Sequence, residues 1–359
     1  MDATAQRDGV GPGGDDAADA RRAHRRLTVR AVRLSAAGAV MDTIEIDPAG
    51  EREALVAPAL VTLGPADAAV NGSGGPRALR ATQRSDTTPT EPWTPGREFV
   101  GRVAEPPADR PDLAGARVVA DPDRVCGACD RCRSGLSAHC TERATMGAPR
   151  ADGALRERLA LPATGLVPVP DELRDDDAAL ALPVARALHA AWVVHLEGRP
   201  YVTVLGAGAE AVIAAQVMAR LNASVRIVTE HDATLAAADR LRVRHRRLER
   251  VGRRGDQDVI VCVDSGAESL AVACAMVRPR GKIVTLAPAS GPVALAPIVE
   301  HEITIVGCRG VRLREAVGAL ARGEIACDGL ITHRFPFHRA DAAVRAAADP
   351  GTLRVAVEM

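Results

Sequence analysis

Two hydrophobic periodicities divide the chain. From Leu27 to about Val103 the apolar residues come in short runs, LTVRAVRLS, MDTIEI and EALVAPALVTL, punctuated by Gly and Pro, which predicts a β-rich, barrel-like region. Further on, GALRERLALPATGLVPVPDEL returns to strand and turn. From Asp175 the pattern changes. Asp175 to Leu196 reads as helices, and beyond it strands and helices alternate. YVTVLGAG predicts a strand running into a glycine turn, AEAVIAAQVMARLN an apolar helix, and VRIVTE, VIVCVDSG, GKIVTLAP and ITIVGCRG further strands, with helical stretches such as ESLAVACAMV between them. Such alternation builds a parallel sheet covered on both faces. The tail from Cys327, ending in LRVAVEM, is β-like again and is expected to return to the first domain.

Two segments lack periodicity. Residues 1–26, rich in Gly, Asp, Ala and Arg, read as a disordered tail, and the polar stretch from Asn71 to Pro95 reads as a loop that is either functional or disordered. A chain of 359 residues is long enough for two domains and a large core. Aromatic residues are 2% of the total, so the core must be built from Ala, Val and Leu and offers few platforms for stacking bases. Formal net charge is zero. Both features argue against a nucleic-acid partner. No apolar run approaches a membrane span and the N-terminus lacks the apolar core of a signal peptide, so neither a membrane partner nor export is expected and a cytoplasmic protein is.

Candidate chemistry enters with the cysteines. Cys126, Cys129, Cys132 and Cys140 follow the spacing C-x2-C-x2-C-x7-C. Zinc takes four thiolates tetrahedrally, and a ladder this tight wraps the backbone around one ion; a closed set of four protein ligands is a structural rather than a catalytic site. A disulfide set would need an oxidising compartment. Iron–sulfur runs are spaced differently before the last cysteine. Cys262, Cys274, Cys308 and Cys327 are scattered and read as reduced, small apolar residues.

The second motif is Gly206-Ala-Gly208-Ala-Glu-Ala211, directly after a predicted strand and opening a helix, where a dinucleotide fingerprint belongs. Gly206 permits the tight turn, Gly208 lets backbone approach a diphosphate, and Ala211 lets the helix pack close to the strand. Glu230, at the end of the second strand, is the local candidate for the ribose hydroxyls. Arginines crowd the segment from Arg240 to Arg254, which reads as a solvated helix face and loop, with a cofactor 2′-phosphate or another anion as the alternative.

These motifs together resemble the zinc-containing alcohol and polyol dehydrogenases of the medium-chain dehydrogenase/reductase superfamily. GREFVGRV is similar to that family's G-H-E-x-x-G segment, the four-cysteine lobe follows at the expected distance, DDAALALPVARALHA resembles the helix entering the cofactor domain, and VRPRGKIVTL and EITIVGCRG resemble its last two strands. The resemblance implies an α/β protein with a GroES-like β-rich catalytic domain over 27–183, a structural zinc lobe at 124–142 within it, a Rossmann doubly wound domain over 184–325, and a return to the catalytic domain over 326–359. It further implies NAD or NADP as cofactor, a small-molecule substrate, and a homo-oligomer formed through the edge strand ITIVG.

The same comparison implies a second, catalytic zinc whose ligands this chain lacks. Gly64-Pro65-Ala66-Asp67 stands where the family has C-G-T-D, Gly96-Arg97-Glu98 where it has G-H-E, and Leu182-Pro183 where it has E-P. The family's small apolar residue beside the nicotinamide is Glu210 here, and Thr229 stands where a ribose-binding Asp is commonest. Two functions follow as expectations. One is an oxidoreductase without catalytic zinc, in which Arg97 stabilises an oxyanion and Asp67 or Glu98 relays a proton; the other is a degenerate member that binds or assembles without turnover. In the plainer reading of those residues, Asp67 and Glu98 are retained carboxylates paired with Arg97.

Overall fold

The structure is a computed structural model and describes residues 26–359 apart from 36, 69–90, 150, 196–197, 222, 253–254, 265 and 288–291. All but the last residue of the tail read over 1–26, and most of the polar stretch from Asn71 to Pro95, therefore lie outside the described residues.

The first part of the chain is β-rich, as the short apolar runs predict. Strands β1 (Leu27–Ser35) and β2 (Gly38–Ile46) form an antiparallel hairpin. Strand β3 (Glu53–Leu63) is the spine of a seven-stranded sheet. It pairs with β4 (Glu98–Glu105) on one side, leading on to β5 (Arg117–Ala120) and β9 (Leu166–Pro168), and it also pairs with β8 (Leu159–Pro162). Its Pro58 cannot donate to a ladder, and the register shifts there, between Pro58 and Leu60. The little ribbon β6 (Asp123–Arg124) with β7 (Ala144–Thr145) frames the cysteine lobe. Val32, Leu34, Val56, Val61, Phe99, Val118 and Leu159 fill the core of this part.

The second part holds six parallel strands in the order β12-β11-β10-β13-β14-β15. They are β10 (Tyr201–Leu205), β11 (Ser224–Thr229), β12 (His245–Arg247), β13 (Gln257–Cys262), β14 (Val277–Thr285) and β15 (Thr304–Gly307). This is the doubly wound order, whose chain reversal beside β10 opens a crevice at the strands' carboxyl ends. The helix Gly208–Ala219 packs nearly all round, with Ala209, Ala211, Val212, Ile213, Ala214, Ala215, Val217 and Met218 buried. Its many alanines let it lie close to the sheet and to the helix Ala181–Val194, which enters this part. One element differs from the pattern reading. Within the arginine-rich segment, His245–Arg247 is a strand rather than a helix face or loop. It is the sheet's edge, so its polar side chains meet solvent on a rim that the alternation rule does not govern.

The chain end then crosses back. Strands β16 (Ile331–Pro336) and β17 (Arg354–Glu358) pair with each other, and β17 lies antiparallel to β3 in the first sheet. This return brings Arg354 to the junction of the two parts.

Candidate functional site

In the cysteine lobe the four ligand sulfurs all lie within 4.8 Å of one another. Cys126 Sγ is 3.5 Å from Cys140 Sγ and 4.0 Å from Cys132 Sγ, and Cys129 Sγ is 3.9 Å from Cys140 Sγ. Four sulfurs around one zinc stand about 3.8 Å apart, so the set fits that ion. Backbone N–H groups donate to the sulfurs, Cys129 N to Cys126 Sγ at 3.3 Å and Cys126 N to Cys140 Sγ at 3.4 Å. Such donors draw the Cys129 thiol down to about 6, toward the thiolate a metal needs, whereas burial pushes Cys132 up to about 12. Among the described residues this is the one group of three or more His, Cys, Asp or Glu placed to hold a metal.

The positions that hold the family's second metal are differently furnished. Gly64 precedes the short helix Pro65–Ala68, and its N–H donates to Asp67 Oδ2 at 3.1 Å. A Cβ added at Gly64 would stand 2.6 Å from Arg354 Nη1, so the guanidinium fills the space into which a cysteine side chain would project. Asp67 is buried, and its other oxygen accepts from Arg97 Nε at 3.3 Å. Arg97 Nη2 is buried and has no hydrogen-bond partner among the described residues. Leu182 is buried in the helix Ala181–Val194.

Glu98, at the start of β4, does not pair with Arg97. Arg354 Nε donates to its Oε2 at 3.1 Å and Arg354 Nη2 to its Oε1 at 3.4 Å, while the Thr62 hydroxyl donates to Oε2 at 3.1 Å. Thus of the two carboxylates expected beside Arg97, only Asp67 is there. Burial raises the Glu98 carboxyl above its ordinary range; Arg354 opposes this, and the Glu210 and Asp67 charges add to it. Arg354 is 1% exposed and also serves Glu210, through Nη1 to Oε2 at 2.9 Å and through Nη2 to Oε1. Burial opposes ionisation of the Glu210 carboxyl, but the charge and hydrogen bonds of Arg354 outweigh it and hold the group below the usual carboxylate range. Burial likewise opposes the Arg354 charge, and the two carboxylates override it and strengthen its hold on the proton.

The glycine turn has the expected backbone. Gly206 adopts φ +128°, and a Cβ there would meet Val263 and Asp264 side-chain atoms at 2.6–2.7 Å, so only glycine fits. Ala207 N–H donates to Asp264 Oδ1 at 3.2 Å and Gly208 N–H to the Thr234 hydroxyl at 2.9 Å. The Glu210 side chain is half-buried and folds back along the turn, with its Oε2 3.2 Å from where a Gly208 Cβ would be. The backbone suits a dinucleotide, and the Glu210 carboxylate lies beside Gly208, the residue whose lack of a side chain would let a diphosphate approach. Ala211 is buried against the sheet. Glu230 is exposed just past β11, and its carbonyl accepts from Arg247 Nη1 at 3.4 Å.

Arg354, Arg186 and Asp264 are the site residues that motif reading missed. Arg186, in the helix Ala181–Val194, donates to the Leu286 carbonyl, and the charges of Glu210, Arg97 and Glu98 all act on it. The only signal for Arg354 was a lone cation inside the apolar strand LRVAVEM.

Residues 50–171 match the alcohol dehydrogenase GroES-like domain model. The L-threonine 3-dehydrogenase of Mesorhizobium japonicum is 31% identical over 271 residues, which cover 70% of this chain and 78% of that one. Among solved structures, L-idonate 5-dehydrogenase from Escherichia coli superposes with a TM-score of 0.81 at 20% identity, covering 93% of this chain and 99% of that one. A zinc-binding dehydrogenase from Sinorhizobium meliloti bound to NADP gives 0.78 at 23% identity, covering 93% and 100%.

Proposed function

Given that this chain belongs to the medium-chain dehydrogenase/reductase superfamily, in its alcohol and polyol dehydrogenase-like part, we propose that it is an NAD(P)-dependent oxidoreductase acting without a catalytic zinc. The substrate class is a small alcohol or carbonyl compound, or an activated alkene. The observation that carries the zinc-free reading is the Arg354 guanidinium standing 2.6 Å from the Cβ position of Gly64. A cation there both fills the ligand's space and repels a metal ion.

In this reading Arg97 takes the metal's electrostatic task. Its Nη2, buried and without a partner among the described residues, can donate to an oxygen on which negative charge develops. Asp67 is a positioning residue, since it anchors Arg97 Nε while being held by the Gly64 N–H. Glu98, with a raised carboxyl joined to the Thr62 hydroxyl, is the group suited to carry a proton. Oligomerisation would use edge strand β15, where Ile305 is exposed together with Leu295 and Val299 nearby in the chain. The described residues contain no helix long and apolar enough to cross a membrane.

Elemental analysis of the purified protein is expected to find one zinc per chain, and two would overturn the loss of the catalytic site. Titration with NADH and with NADPH, followed by nicotinamide fluorescence, is expected to saturate with at least one of them. One observation favours the second reading, a member that binds or assembles without turnover: Glu210 lies across the turn on Arg354. Flat traces with both nucleotides, in the wild type and after Glu210→Ala, would select it.

A further inference from the structure

We propose that the Glu210 carboxylate is a built-in anion, which occupies the diphosphate place of the glycine turn and must release Arg354 before a dinucleotide can bind. The inference rests on the NAD(P) reading above, and three features of the structure carry it. First, the carboxylate lies over Gly208, the residue whose lack of a side chain would admit a diphosphate. Second, it takes the hydrogen bonds of a nearly fully buried guanidinium at the mouth of a helix N-terminus, the combination that suits an external phosphate. Third, the contact joins the two parts of the molecule. Arg354 belongs to β17 of the first sheet and Glu210 to the helix that follows β10, so the same ion pair that covers the turn also ties the two parts together.

A diphosphate cannot share this place. Asp264 already sits on the other side of the turn, accepting from Ala207 N–H, so an incoming anion with Glu210 still seated would face two carboxylates. Like charges at this range disfavour each other strongly where water is scarce. The chain therefore divides between a latched form, with Glu210 on Arg354, and an open form able to take the cofactor. Apparent affinity falls in proportion to the open fraction, so a latch closed in about nine molecules of ten weakens dinucleotide binding roughly tenfold. Release should not unfold the protein, because Arg354 keeps Glu98 as a partner.

The test uses Glu210→Ala, which removes the carboxylate, and Glu210→Gln, which keeps its shape without the charge. Glu315→Gln, at an exposed carboxylate paired with Arg312, controls for net charge. Inorganic pyrophosphate at millimolar concentration is expected to raise the melting temperature of both Glu210 variants while leaving the wild type and the control unmoved. NADH or NADPH is expected to bind the Glu210 variants about tenfold more tightly than the wild type. Equal pyrophosphate shifts in all four proteins, no shift in any, or equal dinucleotide affinities in the wild type and the Glu210 variants would overturn the latch. A pyrophosphate shift confined to the Glu210 variants, with no dinucleotide bound by any protein, would keep the latch and overturn the NAD(P) reading instead.

Discussion

Replacing Arg354 with leucine is expected to lower the stability of the folded chain at neutral pH by about 3–5 kcal/mol, the cost of breaking a buried ion pair from one side. The guanidinium is 1% exposed and Glu98 is 5% exposed, so the stranded carboxylate has little access to water. Its remaining side-chain partner is the Thr62 hydroxyl. Glu210 suffers less, since 27% of its side-chain surface is open and it can turn toward solvent. Most of the loss should therefore trace to Glu98, and Arg354→Leu combined with Glu98→Gln should recover much of it, a coupling that a double-mutant cycle measures directly.

The loss also has a predictable pH dependence. Burial holds the Glu98 carboxyl above its ordinary value, against the pull of Arg354. A raised carboxyl keeps its proton in the folded chain after the unfolded chain has lost it, so its contribution is complete below the unfolded value and fades as pH rises through the folded one. Without Arg354 the folded value rises further. The deficit of Arg354→Leu relative to wild type should then be small in acid and grow toward neutrality. Urea melts at about pH 5 and about pH 8 read the difference. A deficit that does not change with pH would mean that lost packing, not the stranded charge, is responsible.

Such a residue shows where sequence reading reaches its limit. The apolar runs revealed β3, β10, β11, β13 and β14, because a strand buried on both faces is a near-continuous apolar run. The cysteine spacing and the glycine turn were legible because both are local: ligands and turn residues lie within one short stretch of chain. Arg354 meets Glu98 at a separation of 256 residues and Glu210 at 144. Nothing nearby in LRVAVEM says that its cation points into the junction rather than to solvent. For the same reason the family resemblance marks Glu210 as unusual without giving its partner, and nearness in sequence suggests a pairing of Glu98 with Arg97 that the fold does not make. Arg97 lies just before β4 and reaches Asp67, whereas Glu98, the first residue of the strand, reaches Arg354.

Cys126→Ser is expected to cost the chain its zinc and to loosen the whole cysteine lobe while leaving both sheets folded. Zinc binding in small metal-dependent folds is worth about 10–16 kcal/mol at neutral pH, and the lobe has little else to hold it together. Its two short helical turns, Asp130–Arg133 and Ser137–His139, bury none of their residues. What ties the lobe to the rest is polar. Arg309, just past β15, donates through Nη2 to Asp123 Oδ2 at 3.2 Å and to the Thr145 hydroxyl at 3.3 Å, and through Nε to the Ala138 carbonyl at 3.3 Å. Release of the metal should free Ala138 first, because it lies between the ligands Cys132 and Cys140, whereas Asp123 and Thr145 are held by their own ribbon. Hydrogen exchange should accordingly quicken across 126–140 and stay slow in β10 and β13. Chelation of the wild-type zinc should reproduce that pattern. If the protein turns over a substrate, its activity should decline only as far as the folded fraction does, since the lobe supplies no group to Arg97, Glu98 or the glycine turn. A Cys126→Ser protein that kept slow exchange across the lobe yet lost all turnover would make this zinc a catalytic one.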